Sequence, residues 1–428
     1  MSITDQALRE AREVELLTGN EAGDMLSAAL ASAGIVRSWK VHSVHHRPGA
    51  GVTVGYTVQI EGPRTSDVLV PGGNLADEYI CATTGRVSQP PSDVLVRIDG
   101  PQGIVAHVWR HPNDPELPAL KTACESGAMS RLVGQRVKLE LLSYRPTRRG
   151  VLRVNFPDRT RAYAKVVRPA HAHSLVKRHN MLVNAGIPAP RVLQNTPDGL
   201  VLISSGEGEP LANLLSRGMG QNTEKVLNTL LDLLEKLPAE AANLTRRPAW
   251  SERADHYGNA ASTVLPQHRA RIELLTNGVN YLMANSDPGP VVATHGDFYE
   301  ANILMDGRNH AVSSLIDVDS LGPGYRVDDL GCLLGHISVL PYLAPHAYPH
   351  VPFELEEWTR ICEQRVDPVA LVARCAGVTL SLIAGARRED GREWLSDAEG
   401  RLAAAEQWVA RGYGHLARRN RIAANPPR

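Results

Sequence analysis

A chain of 428 residues exceeds one ordinary hydrophobic core, so two or three domains or lobes are expected. Its 46 basic and 46 acidic side chains cancel, which removes any general electrostatic pull toward nucleic acid or a membrane surface; neither is expected as a partner. The five cysteines, Cys81, Cys124, Cys332, Cys362 and Cys375, are odd in number and lack metal-ligand spacing, which argues against a disulfide framework or a zinc site.

The opening run MSITDQALREAREVELLTG is charged throughout and carries no signal-peptide pattern. Later apolar segments read as broken by charge or glycine before the roughly 20 residues of a membrane span, so the cytoplasm is the expected location. Small and apolar positions at three- and four-residue spacing predict a helix over 4–35. VTVGYTVQI, 52–60, alternates as a strand with Val52, Val54, Tyr56 and Val58 on one face. Further strands are expected at 93–98 and 103–109. The proline-rich HPNDPELP, His111–Pro118, then reads as a linker. His42, His45 and His46 have no carboxylate or cysteine nearby and read as a solvated strand end rather than a metal site.

A second β-rich stretch runs through VKLELLSYRP (137–146), VLRVNF (151–156) and RAYAKVV (161–167). HRPGAGVTVGYTV in the first region echoes YRPTRRGVLRV in the second, which either marks two related hairpins or is chance. In RAYAKVV the alternation sets Ala162, Ala164 and Val166 on one face and Tyr163, Lys165 and Val167 on the other. A lysine beside Val167 on a strand is uncommon on a buried face, because burying an unpaired ammonium is costly; the plainer alternative is a lysine on an exposed edge strand. A helix is expected over 171–185. Pro188 and Pro190 then force an extended segment, and LVLISS (200–205) is a short strand ended by GEGEP. From 210 onward the pattern is helical, including most of 354–418, with a frayed tail NRIAANPPR.

One β island interrupts these helices: VVATHGDFYEANILMDGRNHAVSSLIDVDS. NILM and AVSSLI read as strands joined by the turn DGRN. A hairpin brings the residues before its first strand close to those after its second. Asp297 and Asn302 lie before or at the first strand and Asp317 ends the second, so three oxygen-bearing side chains are expected at one hairpin end. Phosphoryl transfer needs such a group: one carboxylate near the attacking hydroxyl, and hard oxygen ligands for magnesium. His295 would steady the loop through hydrogen bonds. Asp306 reads as a turn former, and Asp319 and Asp328 as exposed neighbours.

HGDFYEAN, LIDVD and GPGYRVDDLG resemble the catalytic loop, metal-binding aspartate and following segment of the aminoglycoside phosphotransferase and choline kinase-like family. The resemblance covers about 137–345 and implies an α+β, bilobal protein-kinase-like fold. It implies Asp297 as catalytic base, Asn302 and Asp317 as magnesium ligands, and Asp329 as a structural aspartate bracing the loop. It assigns Lys165 to the α- and β-phosphates of ATP or GTP, and Ser204 and Gly206 to the adenine at the hinge. The partner expected is a small-molecule hydroxyl acceptor, with oligomeric state left open.

The family's lysine is normally positioned by a glutamate on the next helix, whereas Arg159 through Pro197 holds no Asp or Glu; Ser174 or Val176 stands in its place. A nucleotide-binding pseudokinase without turnover is therefore the alternative, and a metal-dependent hydrolase using His295, Asp297 and Asp317 a further rival. Arg145, Arg148 and Arg149 beside Gly150 either approach nucleotide phosphates or decorate a turn. The expected organisation is an amino-terminal α+β cap over 1–115, reminiscent in position and size of maltokinase-like sugar kinases, a kinase-like amino lobe over 116–206 and a carboxyl lobe over 207–428. Asp255, Glu300 and the acidic stretch 354–364 are candidate counter-charges for an amino-bearing acceptor.

Overall fold

The computed structural model describes residues 3–47, 49–61, 77–308, 310–388 and 393–424. The chain divides into two compact units, Met1–Lys177 with Arg191–Ser205, and Arg178–Pro190 with Gly206–Arg428. The α+β class expected from the sequence is what the chain adopts, with its longer sheets in the first unit and helices dominating the second.

The first unit opens with α1 (Ile3–Thr18) and α2 (Glu21–Ala29). The single helix expected over 4–35 breaks at Gly19 and Asn20, both weak helix formers. Five strands follow: β1 (Ile35–Arg47), β2 (Gly51–Glu61), β3 (Glu78–Thr83), β4 (Leu95–Asp99) and β5 (Val105–Arg110). They form an antiparallel sheet in the order β1-β2-β3-β5-β4. Val52, Val54, Tyr56 and Val58 are fully buried on the face that packs against Leu17, Met25 and Leu26 of the two helices. The Tyr56 hydroxyl donates to the Leu17 carbonyl at 2.6 Å, satisfying its one polar group.

The same plan recurs downstream. Helices α3 (Leu120–Cys124) and α4 (Ser126–Val133) precede β6 (Lys138–Arg145), β7 (Arg149–Asn155) and β8 (Arg161–Val167). Helix α5 (Pro169–Asn184), β9 (Val192–Asn195) and β10 (Leu200–Ser204) complete an antiparallel sheet in the order β6-β7-β8-β10-β9. Both sheets thus share one strand order, and the arginine of the Arg-Pro echo, Arg47 or Arg145, ends the first strand of each. Leu120, Ala123 and Met129 cover the face bearing Ala162, Ala164 and Val166. On the opposite face, Val167 packs with Ala172 and Leu175 of α5, and Tyr163 and Val176 lie against them.

The proline-rich linker is packed rather than loose. The Asp114 carboxylate is buried and accepts the Tyr144 hydroxyl at 2.7 Å, the Thr147 N–H at 2.7 Å and the Glu116 N–H at 2.8 Å. Leu117 is fully buried in the core of the second sheet. Tyr79, Cys81, Leu95 and Trp109, on the outer face of the first sheet, pack with Tyr144.

The second unit contains β11 (Glu209–Pro210), α6 (Leu211–Arg217), α7 (Thr223–Glu235), α8 (Ala254–Val264) and α9 (Arg269–Ala284). Strands β12 (Val291–Thr294), β13 (Ile303–Met305), β14 (Val312–Leu315) and β15 (Gly322–Tyr325) form the island. Helices α10 (Arg326–Leu343), α11 (Val351–Glu363), α12 (Pro368–Ile383) and α13 (Leu395–Ala424) close the unit. Helix α12 is the central element, packed against α8, α9, α10 and α13.

With its continuation to Ala386, α12 is 19 residues long and apolar enough, by length and composition, to cross a membrane. In sequence this segment is interrupted by a charge. Here the interrupting charge, Arg374, is buried inside the protein and neutralised by Asp328 at 3.1 Å. The expected frayed tail is helical through Ala424, and 425–428 lie outside the described residues.

Candidate active site

The island folds as two small sheets. In the first, β13 pairs with β14 (Ile303 opposite Leu315, Leu304 opposite Ser314), and β11 adds to β13 through Glu209 and Met305. The turn is closed by Asp306, whose carboxylate accepts the Arg308 N–H at 2.7 Å and whose own N–H donates to Ala311 at 2.8 Å. In the second, β12 pairs with β15 from Val291 opposite Tyr325 to Thr294 opposite Gly322. The hairpin continues one residue past its strands, since the Ile316 N–H donates to the Asn302 carbonyl at 2.9 Å. Asn302 and Asp317 therefore flank the same paired end.

The loop between β12 and β13 is held from below by one side chain. Asp329, fully buried in the first turn of α10, accepts the His295 N–H at 3.0 Å and the Gly296 N–H at 2.9 Å. Arg326 stands 3.6 Å from the same carboxylate. Burial pushes the Asp329 carboxyl up to about 7, against the N–H donors and Arg326, which pull it down. Gly296 has φ +77°, and a Cβ there would lie 2.8 Å from the Ser320 carbonyl, so the glycine of HGD is required by both backbone and space.

His295 is fully buried, with Nε2 at 3.1 Å from the Ile316 carbonyl, so that nitrogen carries the proton. Burial lowers its pKa to about 4 despite the nearby Asp317 charge, keeping the imidazole neutral. Phe298 is buried in the main core of the unit and anchors the loop from its other end.

Asn302 is buried and donates through Nδ2 to the Asp297 carbonyl at 2.9 Å and to its carboxylate at 3.4 Å. With the amide nitrogen so used, the Asn302 carbonyl oxygen is the atom left to face a cation. Asp317 takes the left-handed conformation, φ 56° and ψ 51°, which Asp tolerates better than most residues. Arg178 of α5 fixes the segment after it, donating to the Leu321 carbonyl at 2.9 Å. The donor set of Asp297, Asn302 and Asp317 is all oxygen, the chemistry magnesium requires. Among the described residues no group of three or more His, Cys, Asp or Glu side chains has metal-holding geometry.

Gly206 packs on the same hairpin: a Cβ there would come within 2.7 Å of Leu304 and 3.1 Å of Ile316. The Glu207 N–H donates to the Ser314 hydroxyl at 3.3 Å. Lys165 and Ser204 belong to the first unit. Lys165 is half-buried on β8, opposite Val151 of β7 and Val201 of β10. Ser204 ends β10, where its N–H donates to the Arg191 carbonyl at 2.9 Å and its hydroxyl accepts the Arg191 N–H at 3.0 Å.

Other expectations are corrected. Asp328 is no exposed neighbour; its side chain is nearly buried, caps α10 through the Tyr325 N–H at 2.9 Å, and pairs with Arg374. Three acidic residues in 354–364 are spent on structural partners. Glu354 accepts the Met219 N–H, Glu356 pairs with Arg411, and Glu363 with Arg411 and His415. Asp255 accepts from Asn280 at 2.9 Å. Glu300 differs: it is buried, its Oε2 has no hydrogen-bond partner, and burial raises its carboxyl to about 7, with the Asp297 charge adding to the rise. Beside it in sequence, Tyr299 stacks on His336 with ring centroids 4.2 Å apart, a pair that no spacing in the sequence announces.

Residues 147–351 match the sequence model described as the phosphotransferase enzyme family. That segment is of the phosphotransferase family. All eight residues singled out from the sequence, Lys165, Ser204, Gly206, His295, Asp297, Asn302, Asp317 and Asp329, fall inside it. No curated protein sequence matches the chain. Similar solved structures include a thermostable mutant of aminoglycoside phosphotransferase APH(4)-Ia in ternary complex with ADP and hygromycin B, at 13% identity and TM-score 0.47 over 67% of this chain and 98% of that one. A spectinomycin phosphotransferase with ADP and spectinomycin is 12% identical, TM-score 0.47, over 67% and 99%. An ethanolamine kinase of Plasmodium vivax is 11% identical, TM-score 0.42, over 64% and 84%.

Proposed function

We propose that this chain is a small-molecule kinase, transferring the γ-phosphate of magnesium-bound ATP or GTP to a hydroxyl of a sugar, amino sugar, aminoglycoside or similar polar acceptor. The observation that carries the reading is the loop architecture: Asp329 bonds two successive N–H groups, and the Asn302 amide bonds Asp297. A base that must meet a hydroxyl within hydrogen-bond reach needs that kind of fixation, because positioning supplies much of the catalysis in phosphoryl transfer.

In this reading Asp297 orients the acceptor hydroxyl and takes its proton. Asn302 and Asp317 hold magnesium, which when bound offsets the negative charge of the transferring phosphates. Lys165 contacts the α- and β-phosphates, and Ser204 and Gly206 meet the base. Neutral His295 supports the hairpin rather than exchanging protons. Glu300 favours an acceptor that carries an amino group, since a buried carboxyl gains a hydrogen-bonded counter-charge from an ammonium.

The test is consumption of ATP and of GTP with a panel of sugars, amino sugars and amino alcohols, in wild type and Asp297→Asn. Turnover in wild type that falls by about a thousandfold or more in the variant, with nucleotide-induced thermal stabilisation kept, is expected. Stabilisation without turnover on any acceptor would favour the pseudokinase reading, motivated by a helix α5 that holds no carboxylate.

A further inference from the structure

The first unit holds a cavity rich in arginine. It measures about 540 Å³ and is lined by Arg9, Arg86, Arg145, Arg148 and Arg168 against only two carboxylates, Glu10 and Glu13. One wall comes from α1, the β1–β2 turn and the segment after β3; the other from the β6–β7 turn and Arg168. The cavity thus sits where the first hairpin turns of the two like-ordered sheets meet, and neither Lys165 nor Ser204 lines it.

Both carboxylates are engaged in building the wall. Glu13 is buried and accepts from Arg9 at 3.1 Å and from the Thr84 hydroxyl at 3.0 Å. Glu10 accepts the Gly49 N–H at 2.7 Å and the Gln6 amide at 3.0 Å. The walls are preformed. A Cβ on Gly51 would lie 2.6 Å from the Gly85 nitrogen, so the two cap turns touch backbone to backbone. Val52 and Thr84 exchange hydrogen bonds at 2.9 Å. Opposite, Asp114 holds the Thr147 N–H, and Arg168 donates to the Thr147 carbonyl at 2.8 Å while standing 3.5 Å from Glu116. His45, also in the lining, is kept neutral by burial and by the Arg145 charge, its pKa lowered to about 4.

We propose that this cavity is a binding site for a phosphorylated small molecule distinct from the phosphate donor. An excess of guanidinium over carboxylate calls for a ligand with more than one negative charge, and planar guanidinium forks match phosphate oxygens in pairs. The volume suits a small metabolite, within the ~300–1,000 Å³ common for such sites. The assignment does not rest on the proposed phosphoryl transfer, because binding here requires no turnover.

The test is calorimetric titration of the full chain with inorganic pyrophosphate, with and without a saturating non-hydrolysable ATP analogue and magnesium. Binding is expected in both conditions, equal in Asp297→Asn, and weakened at least about tenfold in Arg86→Glu but within about threefold in Arg86→Lys. Arg86 is exposed, so its reversal is not expected to disturb folding, which a melting curve checks; Arg86→Gln serves if it does. Absence of binding in wild type, an unchanged affinity in Arg86→Glu, or loss of binding when the nucleotide analogue is present would each overturn the proposal.

Discussion

At the scale of single residues, the candidate site depends on hydrogen bonds to backbone rather than on clustered charge. Asp329→Ala would leave the His295 and Gly296 N–H groups buried without an acceptor, at a cost of about 3 kcal/mol by the usual penalty for unpaired buried donors. Urea denaturation is expected to show that loss, with turnover falling as well, while Asp329→Asn keeps one acceptor oxygen and loses less. His295 gives a signed pH dependence. Its pKa in the folded chain is about 4, below the ordinary imidazole value of 6.5, so the unfolded chain binds a proton that the folded chain refuses. Its contribution to stability is intact above about pH 6.5 and is lost as pH falls from there toward 4, by roughly 3 kcal/mol at most. Removing the imidazole as His295→Asn should flatten the fall in melting temperature between pH 7 and pH 5 relative to wild type; an equal fall would rule His295 out as a source.

At the scale of elements, the β6–β7 turn is controlled by the linker. Thr147 sits at φ +61° with its N–H bonded to Asp114, and Tyr144 on the preceding strand bonds the same oxygen. Asp114→Ala is expected to destabilise the first unit by about 2 kcal/mol and to speed amide exchange in 145–149 without affecting 291–317. Turn signals and alternation made the β13–β14 hairpin legible in advance, and with it the shared end of Asn302 and Asp317. Asp114 was not legible, because its partners lie 30 and 33 positions away in a stretch that reads only as a proline-rich connector. For the same reason Asp328 read as an exposed neighbour: Arg374, its partner, is 46 positions downstream. Local pattern reports periodicity and turns; it is silent on which distant charge will arrive.

At the scale of the whole molecule, the first unit repeats a plan of two helices on a five-stranded sheet. The echo of HRPGAG in YRPTRRG was the one trace of this in sequence, and a two-residue match is too short to separate a repeat from chance. What differs is the insertion of α5 between the third and fourth strands of the second sheet, where the first has only an irregular segment. The two sheets also share buried surface, since Tyr79, Cys81, Leu95 and Trp109 pack with Tyr144. A chain beginning at Glu116 would lose Tyr79, Cys81, Leu95, Trp109 and Asp114 and leave Tyr144 without that cover. It is expected to melt about 10 °C lower or to fail to accumulate in soluble form; an unchanged melting temperature would mean the cluster contributes nothing.

The loop from His295 to Asn302 is fastened at both ends and in the middle by backbone hydrogen bonds, an amide and a buried phenyl ring. None of those fasteners uses the side chains of Tyr299, Glu300 or Ala301. Under the proposed function, Tyr299, Glu300 and Ala301 are therefore the positions whose exchange would alter acceptor preference while the fasteners go on holding Asp297 in register.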